Sequence, residues 1–428
     1  MANYLKIHVI LFLIFIFSIN DAVAHSDANG SLTSTIPYLQ SPSDTSIIVR
    51  WVTSKNCRGS VIYSENLEDV IENKGERVFM YENGMGIGNT PIHRIHLSNL
   101  TAGTKYYYRV CSEATLKYDP YEKSFDQPEY SDVFSFTTFD SKKEAFTILI
   151  FNDLHPNISK HSTLDFLDNY KSLIDSIKYD LVILNGDCLD DLQREREDLV
   201  SWLNQYARLF KSNYIPIIYL RGNHEIRGKM ADKITNYVEY VCNGKSYGAM
   251  DLGDSRLLFL DAGEDKADDH PIFFSLANYA PYRKEQKDFL KRELNSPEFK
   301  NAKRKILIHH IPFFTEGMRN SLPPTTNEYP NSYIDIGGEE LNREDISIDI
   351  AINGHTHVCE YIPKGHKYEK LPLSQITNNY PVCIGPKEGL IVLTKLVDQT
   401  LSLTVYDSLG KVKIEGEIEK LNDYYIRK

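Results

Sequence analysis

The sequence contains no Cys-x-x-Cys and no Gly-x-Ser-x-Gly, and after residue 19 it has no long apolar run; each absence removes a class of protein. Six cysteines, at positions 57, 111, 188, 242, 359 and 383, are too scattered for a cysteine-built zinc site. Without a nucleophile elbow or a Cys-His signature there is no protein nucleophile to propose. Basic residues are outnumbered, 48 Lys and Arg against 59 Asp and Glu, so the net charge is −11 and no nucleic-acid-binding surface is expected. That balance still permits an anionic small substrate, because local charge at a site can oppose the global sign. There is no internal repeat and no low-complexity tract. No second apolar segment approaches the ~20 residues of a membrane-spanning helix, so no stable span is expected in the mature chain.

The one long apolar run lies at the N-terminus. A short segment with a single Lys precedes VILFLIFIFSI at 9–19, and Ala22-Val23-Ala24 follows as a small-residue cleavage site. These features predict a signal peptide over 1–24, cut after Ala24, and a secreted or periplasmic protein; an uncleaved membrane anchor is the alternative. An oxidising compartment permits disulfides. Cys57 and Cys111 both fall on strand-like segments, where a disulfide or two free thiols are both compatible with the sequence. Asn29, Asn99 and Asn157 open N-x-S/T sequons, which matter in a eukaryotic host.

A length of 428 residues suggests two domains. Residues 32–139 read as all-β. SIIVRWVTS (46–54) is a strand with Trp51 towards the core, RIHLSNL (94–100) and KYYYRVCS (105–112) flank TAGT as a predicted hairpin, and DVFSFTT (132–138) alternates. Short strands with turn signals predict a β-sandwich. After the polar linker 140–144 the pattern changes. FTILIFND, DLVILNGD, IPIIYLRGNHE, DSRLLFLDAG, RKILIHH and IDIAINGHTH each run from apolar strand to polar cluster, with helical spacing over 162–177 and 195–210. This predicts an α/β domain over 146–428.

Ligands in such sheets gather beyond the carboxyl ends of the strands. Five clusters stand there: Asp153 with His155; Asp187; Asn223, His224 and Glu225; His309 and His310; His355 and His357. Six of the 13 histidines fall in these clusters. Imidazole with carboxylate suits Zn, Fe or Mn. A shared carboxylate can clamp two metals for displacement at a phosphoester. Glu225 either orients His224 or caps its loop. Arg221 and Arg227 flank the GNHE loop and read either as phosphate contacts or, the favoured reading, as surface or structural ion-pair partners. Asp261, followed by EDKADD, reads either as a residue lining the substrate mouth or, the favoured reading, as the start of a solvated acidic loop.

The series DLH, GDCLD, GNHE, HHIP and GHTH, in this order, resembles the calcineurin-like metallophosphoesterase superfamily over most of 146–395. PYLQ, VRW and LTAGTKYYYRV resemble the fibronectin III-like N-terminal domain of purple acid phosphatases. The resemblance implies a four-layer α/β/β/α sandwich behind the β-sandwich. It implies Asp153, His155 and His357 on a first metal, Asn223, His310 and His355 on a second, and Asp187 as the bridge. His310 is preferred to His309 because the family pattern His-x-Pro falls on His310-Ile311-Pro312; His309 is then a supporting or core residue. His224 is implied to protonate the leaving oxygen or to stabilise charge on the phosphoryl group. The expected reaction is hydrolysis of a phosphate-ester small molecule, a monoester first, by metal-activated water. The alternatives are a phosphodiesterase or nucleotide pyrophosphatase of the same superfamily and, from another class, a non-catalytic surface-binding protein.

One departure is informative. Purple acid phosphatases resemble one another in a Tyr three residues after the bridging Asp and a Gly where this chain has His155; here the later position is Asp190. Without a tyrosinate ligand, the metal-loaded protein is expected to be colourless or pale. An intense visible charge-transfer band in its absorption spectrum would refute this.

Overall fold

The computed structural model describes residues 32–156, 167–189, 196–241, 244–316, 333–368 and 377–428. The predicted signal peptide with its cleavage site, Asn157, Asp190 and Cys242 lie outside the described residues. Among the described residues no helix is long and apolar enough to cross a membrane.

The N-terminal part is all-β. Its centre is one 18-residue strand, Ile47–Ser64, whose register breaks between Val52 and Cys57. Before the break it pairs with Thr90–Leu97; after it, with Lys105–Tyr118. The expected hairpin across TAGT therefore does not form. The flanking strands pair with different halves of Ile47–Ser64, because period-2 alternation fits either partner equally well. Trp51 does face the core, fully buried, with its indole N–H donating to Ser112 Oγ at 3.0 Å. Cys57 and Cys111 are both free thiols. Cys57 lies opposite Ala114 and Cys111 opposite Ser60. Three residues of register separate them by about 10 Å and turn them to opposite faces, too far for a disulfide.

The C-terminal part is α/β with two mixed sheets. The first runs in the order 217–220, 181–185, 146–152, 389–395, 401–406, 412–417, its first three strands parallel. The second runs 248–252, 255–259, 305–308, 350–353, 382–384, 360–362, 426–427, with parallel pairing from 255–259 through 382–384.

Side-chain alternation makes the layers. Ile148, Ile150, Leu181 and Ile183 point to the second sheet and meet Leu257, Phe259, Ile306, Ile308, Ile350 and Ile352 in one buried cluster. Leu149, Phe151, Val182 and Leu184 point the other way, onto Tyr170 and Ile174 of helix Asp168–Ser176 and Leu199, Trp202, Leu203 and Tyr206 of helix Arg196–Leu209. On the far side, Leu258, Leu307 and Ala351 pack with Leu290 of helix Tyr279–Glu293. Three apolar clusters between four layers give the α/β/β/α sandwich. The sandwich and this part form one compact unit. Tyr108 Oη donates to Asn213 O at 2.8 Å, Tyr38 Oη to Tyr237 O at 2.6 Å, and Arg50 and Arg94 share Glu239.

His93, fully buried, stacks on Trp51 with ring centroids 4.6 Å apart, and burial pushes its pKa down to about 3. The unfolded chain titrates this imidazole at about 6.5, so it binds the proton first as pH falls. Stability is whole above that pH and drains towards pH 3, by up to about 1.4 kcal/mol per pH unit. Denaturant unfolding at pH 7, 5 and 4 should show a shallower acid-side loss in His93→Phe; an unchanged slope removes His93 as the cause.

Candidate dinuclear metal centre

The carboxyl ends of the parallel strands in both sheets meet at one place. The first sheet brings Asp153 after 146–152, Asp187 after 181–185, and Asn223 with His224 after 217–220. The second brings His310 after 305–308 and His355 with His357 after 350–353. Backbone bonds join the loops: Asp153 N–H to Gly186 O at 3.1 Å, His155 N–H to Asp187 O at 2.9 Å, and Gly354 N–H to His310 O at 2.9 Å.

Three groupings have ligand atoms within 4.8 Å of one another: Asp153–His155–His357, Asp187–His310–His355 and His155–Asp187–His224. His155 Nε2 and His357 Nε2 are 2.8 Å apart, and His357 Nε2 is 3.3 Å from Asp153 Oδ1. Asn223 Oδ1 lies 2.9 Å from His355 Nδ1. All seven expected ligands thus face a common volume. His309 does not join them. It is buried in the core with Nδ1 2.8 Å from Ile311 O, and burial pushes its pKa down to about 3.

The electrostatics fit cations. Asp153 and Asp187 are 0% and 1% exposed. Burial pushes the Asp153 carboxyl up, but the imidazoles of His155, His310 and His357 outweigh it and hold it well below the usual carboxylate range. Burial likewise pushes His310 down, yet Asp187 and Asp153 lift it to about 10. His310 Nδ1 sits 2.8 Å from Asn185 O, which marks Nδ1 as the protonated nitrogen. Among the described residues its buried Nε2 makes no hydrogen bond while facing Asp187 Oδ2 at 3.1 Å. A lone pair and a carboxylate in that arrangement need a proton or a cation between them. The donor set, two carboxylates, one amide and four imidazoles, suits borderline divalent or trivalent ions.

The backbone is specialised for this. Asp153, His155, Asp187, His355 and His357 all have φ between 41° and 71°, a left-handed region costly for residues with a Cβ and visited mainly by Asn, Asp and His among them. Gly186, with φ 80°, lies where a Cβ would collide with the His310 ring. Glu225, 1% exposed, accepts N–H bonds from Asp187 at 3.0 Å, Cys188 at 2.6 Å, Leu189 at 2.9 Å and Gly222 at 2.8 Å. Between the two expectations for Glu225, the structure selects the loop cap.

The acidic-loop expectation for Asp261 is overturned. Asp261 is 2% exposed, ion-paired to Arg221 at 2.6 Å, and accepts the Gly263 N–H at 2.7 Å. Its neighbours reach the centre. Asp265 Oδ2 is 3.5 Å from His355 Nε2, and Glu264 binds Arg227 at 2.9 Å, whose Nη1 is 3.4 Å from His224 Nε2. Nothing local in EDKADD marks Asp265; only the fold brings it to His355.

A family model described as calcineurin-like phosphoesterase matches residues 146–359, half of the 428. The chain belongs to this family. A model for the purple acid phosphatase N-terminal domain matches residues 35–138. Among solved structures, a purple acid phosphatase from yellow lupin (Lupinus luteus) seeds is similar at 14% identity and TM-score 0.60, over 89% of this chain and 73% of its own. PhoD is similar at 12% identity and TM-score 0.59, over 91% and 94%. At such identities the likeness shows the fold. No curated protein matches the sequence significantly. The two family matches make the chain a metal-dependent phosphoester hydrolase, acid phosphatase-like in build.

For this phosphoesterase, Glu225→Gln puts an amide where four backbone N–H groups need acceptors. Losing charge-assisted bonds here should cost about 2–5 kcal/mol. Calorimetric melting should show the loss; a melting temperature equal to wild type excludes Glu225 as the loop anchor.

Proposed function

We propose that the protein is an exported phosphatase that hydrolyses phosphate monoesters at a dinuclear centre, with ions drawn from Fe, Zn and Mn. Asp153, His155 and His357 would hold one ion; Asn223, His310 and His355 the other; Asp187 would bridge them. The domain limits that accompany this are a leader over 1–24, the sandwich over 32–139 and the phosphoesterase domain over 146–428. The observation that carries the assignment is the pair of groupings Asp153–His155–His357 and Asp187–His310–His355, each within 4.8 Å. Export rests on the apolar run at 9–19 and the Ala22-Val23-Ala24 site. Monoester preference rests on the sandwich-plus-phosphoesterase architecture.

When bound, the ions would neutralise phosphoryl charge and lower the pKa of a water for attack. The protein's own groups supply the rest. His224 has the most open ring of the cluster, with 27% of its side chain exposed, against 21% for His357 and 2% for His310. It therefore faces the entry path and is the group that gives a proton to the leaving oxygen. Its backbone N–H donates to Asp187 Oδ1 at 2.9 Å, tying the acid to the bridging carboxylate. Arg227, fixed by Glu264, stands beside the same ring, its Nη1 3.4 Å from His224 Nε2.

The test is elemental analysis of purified protein with parallel assays on a chromogenic phosphomonoester and its diester. Two ions per chain and faster monoester turnover are expected, with activity lost on chelation and restored by metal. His224→Ala should cost about 10²–10⁴-fold in turnover. Asp187→Asn should lose both metal retention and activity. Near-full activity in both variants sinks the mechanism, and faster diester turnover overturns the monoester assignment.

A further inference from the structure

His355 differs from His310 in which ring nitrogen faces the other residues assigned to the same ion. In His310, Nδ1 is engaged by the Asn185 carbonyl and Nε2 points to Asp187. In His355, Nδ1 lies 2.9 Å from Asn223 Oδ1, the other donor assigned to the same ion, and Nε2 faces Asp265 Oδ2 at 3.5 Å. A neutral imidazole carries its proton on one nitrogen only. At 2.9 Å the amide oxygen accepts a hydrogen bond from Nδ1; a cation in that proton's place would leave the imidazole's one proton on Nε2, and the carboxylate beside Nε2 favours that tautomer.

Asp265 is built to stay there. Its side chain is 10% exposed. Its other oxygen is ion-paired to Lys266, and its backbone N–H donates to Glu264 Oε1 at 2.9 Å. Glu264 is itself fully buried and held by Arg227 at 2.9 Å. Two cations and two carboxylates thus form a closed group that aims one oxygen at His355. The backbone carbonyl behind His310 is a neutral partner, whereas Asp265 is a charged one. A charged partner makes the imidazole the stronger donor to a cation.

We propose that Asp265 is a positioning residue for the second metal ion: through His355 Nε2 it fixes the tautomer and strengthens the Nδ1 donor. This rests on the assignment of His355 and Asn223 to that ion. The test uses full-length metal-free protein titrated with Zn²⁺ by calorimetry, and elemental analysis after dialysis. Wild type should take up two ions. Asp265→Ala should weaken one site by about 10–100-fold and leave the other unchanged. Asp265→Asn, close in shape, should fall between, and an unchanged near-ultraviolet circular dichroism spectrum shows that the fold is kept. Lys266→Gln, which frees Asp265 without touching the centre, should weaken the same site more mildly. Equal affinities in wild type and Asp265→Ala, or parallel loss at both sites, overturn the proposal. A wild type that binds fewer than two ions instead overturns the ligand assignment on which it stands.

Discussion

Two carboxylates taken out of water set the terms for this molecule. Asp153 and Asp187 are almost wholly buried, side by side, at the seam between two sheets. Each such burial costs several kcal/mol unless charge and hydrogen bonds answer it. The surroundings do so in detail. His355 N–H reaches both oxygens of Asp153 at 3.0 and 2.8 Å, Asn152 Nδ2 donates to it at 2.6 Å, and His224 N–H donates to Asp187. His310 supplies positive charge from the second sheet. The four-layer fold is what lets donors from both sheets converge there, because each sheet ends its parallel strands at the same edge.

Much of this was legible in the sequence. Apolar runs ending in Asp, Asn and His announce parallel strands whose polar termini converge, and Asp153, Asp187, Asn223, His310 and His355 sit at such termini. Alternation within FTILIFN also foretells its two buried faces. Other features escape for physical reasons. The long strand Ile47–Ser64 serves two partners, and alternation is blind to which partner is chosen. Glu225 binds backbone amides, which have no residue code. Asp265 sits in an acidic run that looks solvated by composition; its burial depends on Lys266, Glu264 and Arg227, and its target lies 90 positions further on.

The sandwich contributes rigidity at a distance. Its Tyr38 and Tyr108 hydroxyls bond main-chain carbonyls of the α/β part, and Val52 belongs to the same apolar cluster as the helices over the first sheet. That contact braces the segment from helix Arg196–Leu209 to strand Ile217–Leu220, the strand that delivers Asn223 and His224. The all-β region thus supports the site without entering it.

The left-handed backbone at Asp153, His155, Asp187, His355 and His357 has a thermodynamic consequence. Each such conformation costs on the order of 1 kcal/mol for a side chain with a Cβ. The peptide frame of the centre is therefore a loaded spring, held shut by the surrounding sheets rather than by local preference. On the proposed ligand assignment, metal affinity and intrinsic chain stability would pull against each other at these five positions: glycine at any of them would ease the backbone and remove a proposed donor in a single step.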